Sequence, residues 1–435
     1  MALSTQPYKG ARDFYPEDKR FQKYMFGIMR QVAERFGYEE YDAPILEPLD
    51  IYAAKSGEEI VNDQTYTFTD RGERQVVIRP EMTPTVSRMV AGRRQELAYP
   101  LRWFSIPNLW RYERPQRGRL REHWQLNVDI FGVDTYEAEA EVMQVADGIL
   151  KDVGAAPEMY SIRINSRKLM NFIFFDYLKM DEVQAHMASK LIDRMHKIPY
   201  AEFCGEIEAI FSPTQREAAA PTKLFGILKL KMIQHMPEVI RDSEPAVELS
   251  QLLSALKNRG VSNAHFDITV MRGFDYYTGI VFEIFDEDPE NNRAMMGGGR
   301  YDGLVGLFGV EPVATVGFGF GDVTFEQFIR GHKLTPKLLP ETDAYVVVIG
   351  DVLDKVQGVV TEMREMGANL AIDVTGKKPE KQMKVAIKKG IPYVIFIGQK
   401  ELDSELYELR NITTGESEKR SLARIVSIIK DYRSK

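Results

Sequence analysis

The segment from Trp110 to Gly132, WRYERPQRGRLREHWQLNVDIFG, carries the residues best suited to chemistry on a charged substrate. Neighbouring guanidinium groups repel one another, and arginine binds phosphate through a planar, bidentate fork, so a dense cluster favours a phosphate-binding role. A solvated basic edge that discourages aggregation between sheets is the alternative. The five arginines, which lie within eleven residues, are Arg111, Arg114, Arg117, Arg119 and Arg121.

The residues that follow the arginines predict a β-strand. Gln125 and Asp129 lie four residues apart in this strand and therefore face the same side. The upstream LRWFSIPNLWRYE is predicted to pair with it, and Pro-Gln-Arg-Gly is the loop of the resulting long hairpin. A polar pair beside a phosphate-binding loop is typical of an active-site floor. The alternating apolar residues that predict a half-buried strand are Trp124, Leu126, Val128 and Ile130.

Two more polar residues lie where a predicted strand runs into a helix. From Thr65, TYTFTD, a turn at Arg71-Gly72 and QVVIR predict a hairpin. Its second strand ends in Pro80-Glu81-Met82-Thr83, with a helix starting near Thr85. Ligand-binding groups often lie at such strand ends, which makes Glu81 and Thr83 candidates. An ordinary helix start, with a glutamate favoured by the helix dipole, remains open at this point.

Polar side chains and glycines recur later in the chain. Residues 272–277, RGFDYY, place an arginine, an aspartate and two tyrosines at a strand break, where they either form a mutual network or bind a ligand. Three glycines precede Arg300, Tyr301 and Asp302, and a glycine-rich strand enters a helix within residues 315–329. No Walker sequence or dinucleotide fingerprint is present, so these glycines do not predict a standard phosphate loop.

Composition limits the class of protein. A chain of 435 residues predicts two or three domains with large cores. The single cysteine, Cys204, excludes an internal disulfide and a cysteine-rich zinc site, and is expected to be buried. No apolar run suits a membrane span, which predicts a reducing, cytosolic location. The net charge of −7 argues against indiscriminate coating of nucleic acid but allows local basic patches.

Periodicity divides the chain into regions. A predicted helix from Glu17 to Phe36 precedes a proline-containing strand, and its apolar stripe is buried within one chain or across a dimer. Residues 168 to about 258 have helical periodicity throughout, which predicts a helical insertion. After a proline-containing boundary at 333–341, strands and helices alternate and predict a sheet covered on both faces and partly parallel. The lysine-rich helix at 378–389 indicates an anionic partner or a solvated face.

Together these motifs resemble the histidyl-tRNA synthetase family, which belongs to the class II aminoacyl-tRNA synthetases. The resemblance covers essentially the whole chain. RGFDYY and GGGRYDG are peculiar to this family and its close relatives. The matching segments are KGARDF at 9–14, RPEMT at 79–83, WRYERPQRGRLREHWQ at 110–125, RGFDYYTG at 272–279 and GGGRYDGL at 297–304.

The resemblance implies an α+β fold: a class II catalytic domain at 1–332, with an antiparallel sheet flanked by helices and the helical insertion at about 168–258. It also implies an α/β anticodon-binding domain at 341–435 and a homodimer in the cytoplasm. The implied reaction is ATP-dependent ligation of L-histidine to tRNA(His) through histidyl-adenylate. AMP and pyrophosphate are released, Mg²⁺ accompanies ATP, and any metal-binding residues of the protein are unknown.

The resemblance also assigns roles to residues. Arg111 and Arg272 are the catalytic pair, with Arg111 on the α-phosphate and Arg272 stabilising charge there. Arg114 and Gln116 meet the tRNA acceptor end. Arg111 is also the ATP contact that the resemblance supplies. Arg119, Arg121 and Arg300 complete the predicted ATP-binding set as our own candidates, chosen by their positions in these motifs. The histidine-binding set is Glu81, Thr83, Arg111, Gln125, Asp129, Arg272, Tyr276, Tyr277 and Tyr301.

One position departs from the family pattern. The glycine-rich strand usually leads to an arginine on the γ-phosphate, whereas this chain has Thr324 there. Arg119 and Arg121, then Arg300, are the predicted substitutes. Two rivals follow: a paralogue related to the regulatory subunit of ATP phosphoribosyltransferase, and a tRNA-binding protein without catalysis. The paralogue would lack the C-terminal module and have eroded histidine motifs, and both are intact here.

Overall fold

The structure, a computed structural model, divides the chain into two compact units. The larger unit comprises residues 1–13 and 22–335, and the smaller unit comprises residues 14–21 and 336–435. Each unit has its own sheet, as the sequence pattern predicts. The residues that the structure describes are 3–53, 64–195, 197–271, 276–291 and 293–433.

The strands of the larger unit follow the segments in which large apolar residues alternate with polar ones. The predicted hairpin at residues 65–79 is present, with its turn at Arg71-Gly72. These strands are β1 (Glu39–Glu40), β2 (Leu46–Pro48), β3 (Tyr66–Thr69), β4 (Gln75–Ile78), β5 (Leu101–Ser105), β6 (Asn108–Trp110), β7 (Glu122–Phe131), β8 (Tyr160–Ser166), β9 (Ala264–Phe266), β10 (Ile280–Asp286), β11 (Ala294–Arg300) and β12 (Thr315–Gly321).

Most of these strands form one central sheet in the order β1–β5–β7–β12–β11–β10–β8–β9, with β6 also paired to β7. Its neighbours are antiparallel except for the edge pairs β1–β5 and β8–β9. A separate antiparallel sheet has the order β2–β4–β3. The long strand β7 therefore occupies the middle of the central sheet, beside the glycine-rich β12.

Helices cover this sheet and build the predicted insertion between β8 and β9. The described residues of the insertion contain no strand, as the periodicity indicates. Among the described residues, the α-helices of the larger unit are α1 (Pro16–Arg35, which begins in the smaller unit), α2 (Asp50–Ala53), α3 (Thr83–Gly92), α4 (Glu137–Asp152), α5 (Arg167–Asn171), α6 (Glu182–Arg194), α7 (Tyr200–Ile210), α8 (Pro213–Glu217), α9 (Ala220–Leu228), α10 (Glu238–Arg241), α11 (Glu244–Asn258) and α12 (Asp322–Gly331).

Two of these helices fix the position of β7 and β12. The apolar stripe of α4, with Val142, Val145 and Ile149 fully buried, packs against both strands. Helix α12 continues directly from β12, and its Asp322 accepts hydrogen bonds from the Trp124 backbone (3.0 Å) and from Arg12 (2.6 Å). The opposite face of β7 and β12 is thereby left to form a cleft.

The smaller unit has a five-stranded sheet in the order β14–β13–β15–β16–β17. The pairs of β13 with β14 and β15 are parallel and the others antiparallel, so the partly parallel sheet predicted from sequence is confirmed. Its elements are β13 (Ala344–Ile349), α13 (Leu353–Glu365), β14 (Leu370–Ile372), α14 (Pro379–Lys388), β15 (Tyr393–Gly398), α15 (Gln399–Ser404), β16 (Tyr407–Asn411), β17 (Ser417–Arg420) and α16 (Leu422–Arg433).

The α+β class predicted from the sequence is confirmed, and the short helices α2 and α15 are additions that the periodicity did not indicate. Cys204 is a free thiol that is only partly buried, whereas a buried thiol was predicted. In the described part of the chain, no helix combines the length and the apolar character needed to cross a bilayer.

Candidate active site

A cleft of about 580 Å³ opens over β7 and β12 in the larger unit. Strand β7 contributes its odd-numbered residues, which project from one face of the sheet because side chains alternate along a strand. The start of α3 and the loop before β7 form its walls. The predicted site residues that line it are Glu81, Thr83, Arg111, Arg119, Gln125, Asp129, Tyr276, Tyr277 and Tyr301.

Asp129 is the most unusual group of the cleft because its carboxylate is buried and only half satisfied. The Tyr301 hydroxyl donates a hydrogen bond to Oδ1. Oδ2 has no hydrogen-bond partner among the described residues. Burial raises the pKa of Asp129 to about 7, although the Tyr301 hydrogen bond opposes this shift. The arrangement favours a ligand that donates a hydrogen bond to Oδ2.

Three tyrosines surround this carboxylate. The rings of Tyr276 and Tyr277 lie 4.8 Å apart, and those of Tyr276 and Tyr301 lie 5.8 Å apart. The Tyr276 hydroxyl donates to Glu81 Oε2 at 3.2 Å. Glu81 itself is only 2% exposed. The result is an aromatic pocket with hydrogen-bonding groups on its walls, which suits a flat, polar ring.

The glycines of β12 make room for the polar floor. Gly317 lies opposite Asp129 in the register of β12 and β7. A methyl group at Gly317 would lie 2.0 Å from Asp129 Oδ1, and one at Gly319 would lie 2.4 Å from Gln125 Nε2. The Asp129 and Gln125 side chains therefore occupy the space that side chains at Gly317 and Gly319 would need. This close approach explains why the strand carries glycine at both positions.

The loop between β6 and β7, residues 111–121, is called the basic loop below. Arg111 Nε donates to the Pro80 carbonyl (2.9 Å), which fixes the guanidinium beside the strand end that carries Glu81. Arg119 lines the cleft and forms an exposed ion pair with Glu113 (3.3 Å). Two guanidinium groups therefore lie on the same cleft as the aromatic pocket.

The basic loop also reaches the position where the family arginine is replaced. A methyl group at Gly118 would lie 3.7 Å from Thr324 Cγ2, so Gly118 is close to Thr324. Arg119 is the next residue of the basic loop. The Thr324 hydroxyl lies within hydrogen-bonding distance of two carbonyl oxygens, those of Met295 (2.9 Å) and Gly321 (3.0 Å), and its one proton can be donated to either. Thr324 therefore stabilises the start of α12 and supplies no charge to the cleft.

Arg300 requires a correction, because the structure assigns it to the fold rather than to ATP. Its side chain is 4% exposed and forms a bidentate ion pair with Glu139 at 2.6 and 2.7 Å. The remaining N–H groups donate to the carbonyls of Val133 and Thr135 and to Asp302. All five donors are used, so the side chain has none left for a phosphate.

We expect Arg300→Met to lower the thermal stability of the protein without changing the apparent KM for ATP. Removing one partner of a buried ion pair costs on the order of 3–5 kcal/mol because the other charge stays buried. Arg93→Met is the matched control, since Arg93 pairs with Glu96 at the surface, where both side chains are mostly exposed. Calorimetry and ATP-dependent kinetics check both effects. If Arg300→Met raised the KM for ATP and left the melting temperature unchanged, the result would support ATP binding by Arg300.

Three other predicted residues, Arg121, Arg114 and Gln116, lie outside the lining of the cleft. Arg121 is held by the Glu113 carbonyl (3.1 Å) and the Tyr8 hydroxyl (3.1 Å), so it contacts the loop and the N-terminal segment rather than the cleft. Arg114 and Gln116 are exposed on the basic loop. The position predicted for Arg272 lies outside the described residues.

The cleft also contains polar residues that the sequence analysis did not single out. His123 and Asn127 continue the odd-numbered face of β7, so the same alternation that selected Gln125 and Asp129 could have found them. Burial and the neighbouring charge of Arg111 lower the pKa of His123 to about 3. Glu283 and Lys197 come from β10 and the insertion, and no local pattern indicates them.

Comparison with known proteins is consistent with this geometry. Residues 10–321 match the histidyl-tRNA synthetase family model, and residues 343–432 match the anticodon-binding domain model. The histidine–tRNA ligase of Leptospira biflexa is 41% identical over 435 residues, covering 100% of this chain and 99% of that protein. The corresponding ligase of Thermoplasma volcanium is 34% identical over 437 residues, covering 98% and 99%.

A solved structure with a similar fold is the histidyl-tRNA synthetase of Nostoc sp. PCC 7120. It superimposes with a TM-score of 0.83 at 23% identity and covers 99% of this chain and 100% of that chain. A synthetase-type catalytic unit joined to an anticodon-binding domain defines an aminoacyl-tRNA synthetase. More specifically, the chain belongs to the histidyl-tRNA synthetase family, whose members charge tRNA with histidine.

Proposed function

We propose that this enzyme ligates L-histidine to tRNA(His) in two steps, through a histidyl-adenylate that forms from ATP with release of pyrophosphate. Transfer to tRNA then releases AMP. The observation that supports this proposal most directly is the buried, half-satisfied carboxylate of Asp129 in the same cleft as Arg111 and Arg119. A hydrogen-bonding amino acid side chain and an anionic nucleotide can then be held side by side.

The aromatic pocket is proposed to hold the imidazole of histidine. Asp129 would accept a hydrogen bond from a ring N–H, and Tyr276, Tyr277 and Tyr301 would enclose the ring. An apolar amino acid would leave the Asp129 carboxylate buried without a partner. Sites that hydrogen-bond a substrate reject analogues lacking the donor by large factors for this reason, so no editing step is needed.

The residues around the pocket are proposed to hold the amino acid backbone. Glu81, Thr83 and Gln125 line the cleft and would bind the amino group. The histidine carboxylate is ionised at neutral pH, so its attack on the α-phosphorus requires no strong base. A new oxygen–phosphorus bond forms as the bond to the pyrophosphate oxygen breaks, and the electron pair leaves with pyrophosphate.

Charge neutralisation and positioning carry this step in our proposal. Arg111 would bind the α-phosphate, and Arg272, by the family resemblance, would stabilise the charge that develops there. ATP is expected to bring Mg²⁺, which usually keeps several waters and needs only one or two carboxylates besides the phosphates. Glu113 and Glu283 line the cleft and could supply these carboxylates. Among the described residues, no group of three or more metal-binding side chains forms a separate metal site.

Pyrophosphate exchange provides the decisive test. The protein is incubated with ATP, labelled pyrophosphate and each of the twenty amino acids in turn. We expect exchange with histidine alone, since the Asp129 pocket suits a flat ring that donates a hydrogen bond. Absence of exchange with every amino acid would favour a regulatory paralogue or a tRNA-binding protein without catalysis. Exchange with a different amino acid would contradict the role of Asp129.

The replacement at Thr324 leads to a prediction about ATP. We infer that Arg119 supplies the missing positive charge, because the basic loop passes next to Thr324. Arg119→Ala should raise the apparent KM for ATP more than that for histidine. Thr324→Arg should be neutral or mildly harmful, because the loop already occupies the adjacent space at Gly118.

The matched control for this prediction is Arg117→Ala, two residues earlier in the basic loop and outside the lining of the cleft. ATP and histidine dependence of pyrophosphate exchange is measured for the wild type and the three variants. An inactive wild type that Thr324→Arg activates would indicate a decayed site. Equal KM values for ATP in Arg119→Ala and wild type would place the compensating charge elsewhere.

The proposal divides the chain into a catalytic domain at 1–332 and an anticodon-binding domain at 341–435. Arg114 and Gln116 are proposed to meet the acceptor end of the tRNA, since both are exposed on the basic loop beside the cleft. The lysine-rich helix α14 could contact the RNA backbone electrostatically, in which case binding would weaken as salt rises. A tRNA substrate also supports a cytoplasmic location.

A homodimer is the proposed assembly, and the sheet β2–β4–β3 supports it. One face of this sheet carries Leu46 and Phe68, which are 45% and 46% exposed, together with the paired residues Val76 and Ile78. Contiguous exposed apolar surface usually marks an interface. Sedimentation of the wild type and of Phe68→Glu tests this assignment, and a monomeric wild type would contradict it.

A further inference from the structure

Four aromatic rings cluster at the base of the basic loop, and the Arg121 guanidinium packs over two of them. Ring centroids of Tyr66 lie 5.4 Å from Tyr112, 5.8 Å from Trp110 and 6.4 Å from Tyr8. The Arg121 guanidinium lies over Tyr112 at 4.0 Å and over Tyr8 at 5.7 Å. These five residues form the aromatic cluster considered below.

The aromatic cluster is anchored by the backbone. The Arg121 amide donates to the Gly10 carbonyl (2.9 Å), and the Tyr112 amide donates to the Gln64 carbonyl (2.7 Å). A methyl group at Gly10, whose φ is +88°, would lie 2.8 Å from Arg121 Cγ, so only glycine allows this close approach. The rings are thus held in place before any partner binds.

Much of the cluster nevertheless remains accessible to solvent. Tyr8 and Tyr112 are 53% and 51% exposed, which a purely structural cluster would not require. Arg114, Arg117 and Arg119 are exposed on the same loop. Aromatic faces next to arginines are the pattern by which proteins bind single-stranded nucleic acid, with bases stacked on the rings and phosphates held by the cations.

We propose that Tyr8 and Tyr112, held by Arg121, form a stacking platform for an unpaired nucleotide at the 3′ end of the tRNA. This inference rests on the proposed function, since it names a contact that would guide the tRNA end toward the cleft. Its physical basis is separate: ring exposure, the pre-formed cation–π stack and the neighbouring positive charge. Arg121 contributes by orienting both rings rather than by binding ATP.

The test compares Tyr112→Leu with Tyr112→Phe, because phenylalanine keeps the ring face and leucine removes it. Dissociation constants are measured for a tRNA(His) transcript and for the same transcript trimmed of its unpaired 3′ nucleotides. Loss of one stacked base weakens binding by roughly 5- to 100-fold. We expect this loss for Tyr112→Leu with the full transcript, near-normal binding for Tyr112→Phe, and convergence of all three proteins on the trimmed transcript.

Tyr8→Leu is the second variant and should show the same dependence on the unpaired 3′ end. Histidine-dependent pyrophosphate exchange, which needs no tRNA, should be unchanged in the Tyr112 variants. Normal RNA binding by both leucine variants would overturn the platform. A binding defect that persists on the trimmed transcript would also overturn it. So would leucine variants whose oligomeric state changes while their RNA affinity does not. A wild type without exchange activity would instead count against the proposed function and leave these binding results interpretable.

Discussion

Arg111→Ala is expected to slow histidine-dependent pyrophosphate exchange by about a hundred- to a thousand-fold, the usual effect of removing one electrostatic contact to a transition state. Arg111 Nε is held by the Pro80 carbonyl, so its terminal nitrogens are positioned before the nucleotide binds. Arg111→Lys keeps the charge but loses the planar fork, and should therefore recover only part of the rate.

Arg114→Ala is the matched control for this prediction. Arg114 lies in the same loop but is exposed, and its proposed contact is with the tRNA. The variant should exchange pyrophosphate like the wild type and be impaired only in tRNA charging. A well-folded Arg111→Ala protein with near-normal exchange would show that the α-phosphate is bound by another residue.

Asp129→Asn is expected to weaken histidine binding and to stabilise the ligand-free protein. A hydrogen bond to a charged group contributes about 1.5–3 kcal/mol, so we expect the KM for histidine to rise roughly 10- to 100-fold. Stability should change in the opposite direction, because asparagine removes a buried carboxylate whose Oδ2 has no hydrogen-bond partner among the described residues. Such an exchange of stability for binding is common at functional sites.

The stability effect should depend on pH with a defined sign. Burial raises the pKa of Asp129 from 3.8 to about 7 in the folded protein, so the folded state holds this proton more strongly than the unfolded state. The contribution of protonated Asp129 to stability is therefore complete below pH 3.8 and is lost as the pH rises toward 7. Asp129→Asn should raise the melting temperature most near pH 8 and little near pH 4.

Thermal unfolding at several pH values, without histidine, measures this effect. Asp134→Asn is the control, since Asp134 lies just beyond the same strand but is exposed. It should leave both the melting temperature and the KM for histidine nearly unchanged. A melting temperature of Asp129→Asn that is lower than that of the wild type at pH 8 would mean that the ionised carboxylate is stabilised by contacts other than the Tyr301 hydrogen bond.

The sequence determined the elements of this protein because their patterns are local. Alternation at Trp124–Ile130 predicted β7, and the helical periodicity of residues 168 to about 258 predicted an insertion built of helices, since each pattern repeats the geometry of the element itself. The same alternation placed Gln125 and Asp129 on one face. The motifs RPEMT and RGFDYY indicated the family, and the comparisons confirm it over the full length of the chain.

Only the tertiary structure decided which charged residues are available to a ligand. Arg300 and Glu139 are 161 positions apart. Nothing in the sequence near Arg300 indicates that its N–H groups are already bonded to Glu139. Arg121 was predicted to bind ATP together with Arg119 because both lie in the same loop. In the structure its guanidinium donates to the hydroxyl of Tyr8, 113 positions away, and belongs to the aromatic cluster. Long-range packing and burial decide such cases, because the cost of an unpaired buried charge depends on distant partners that no local period records.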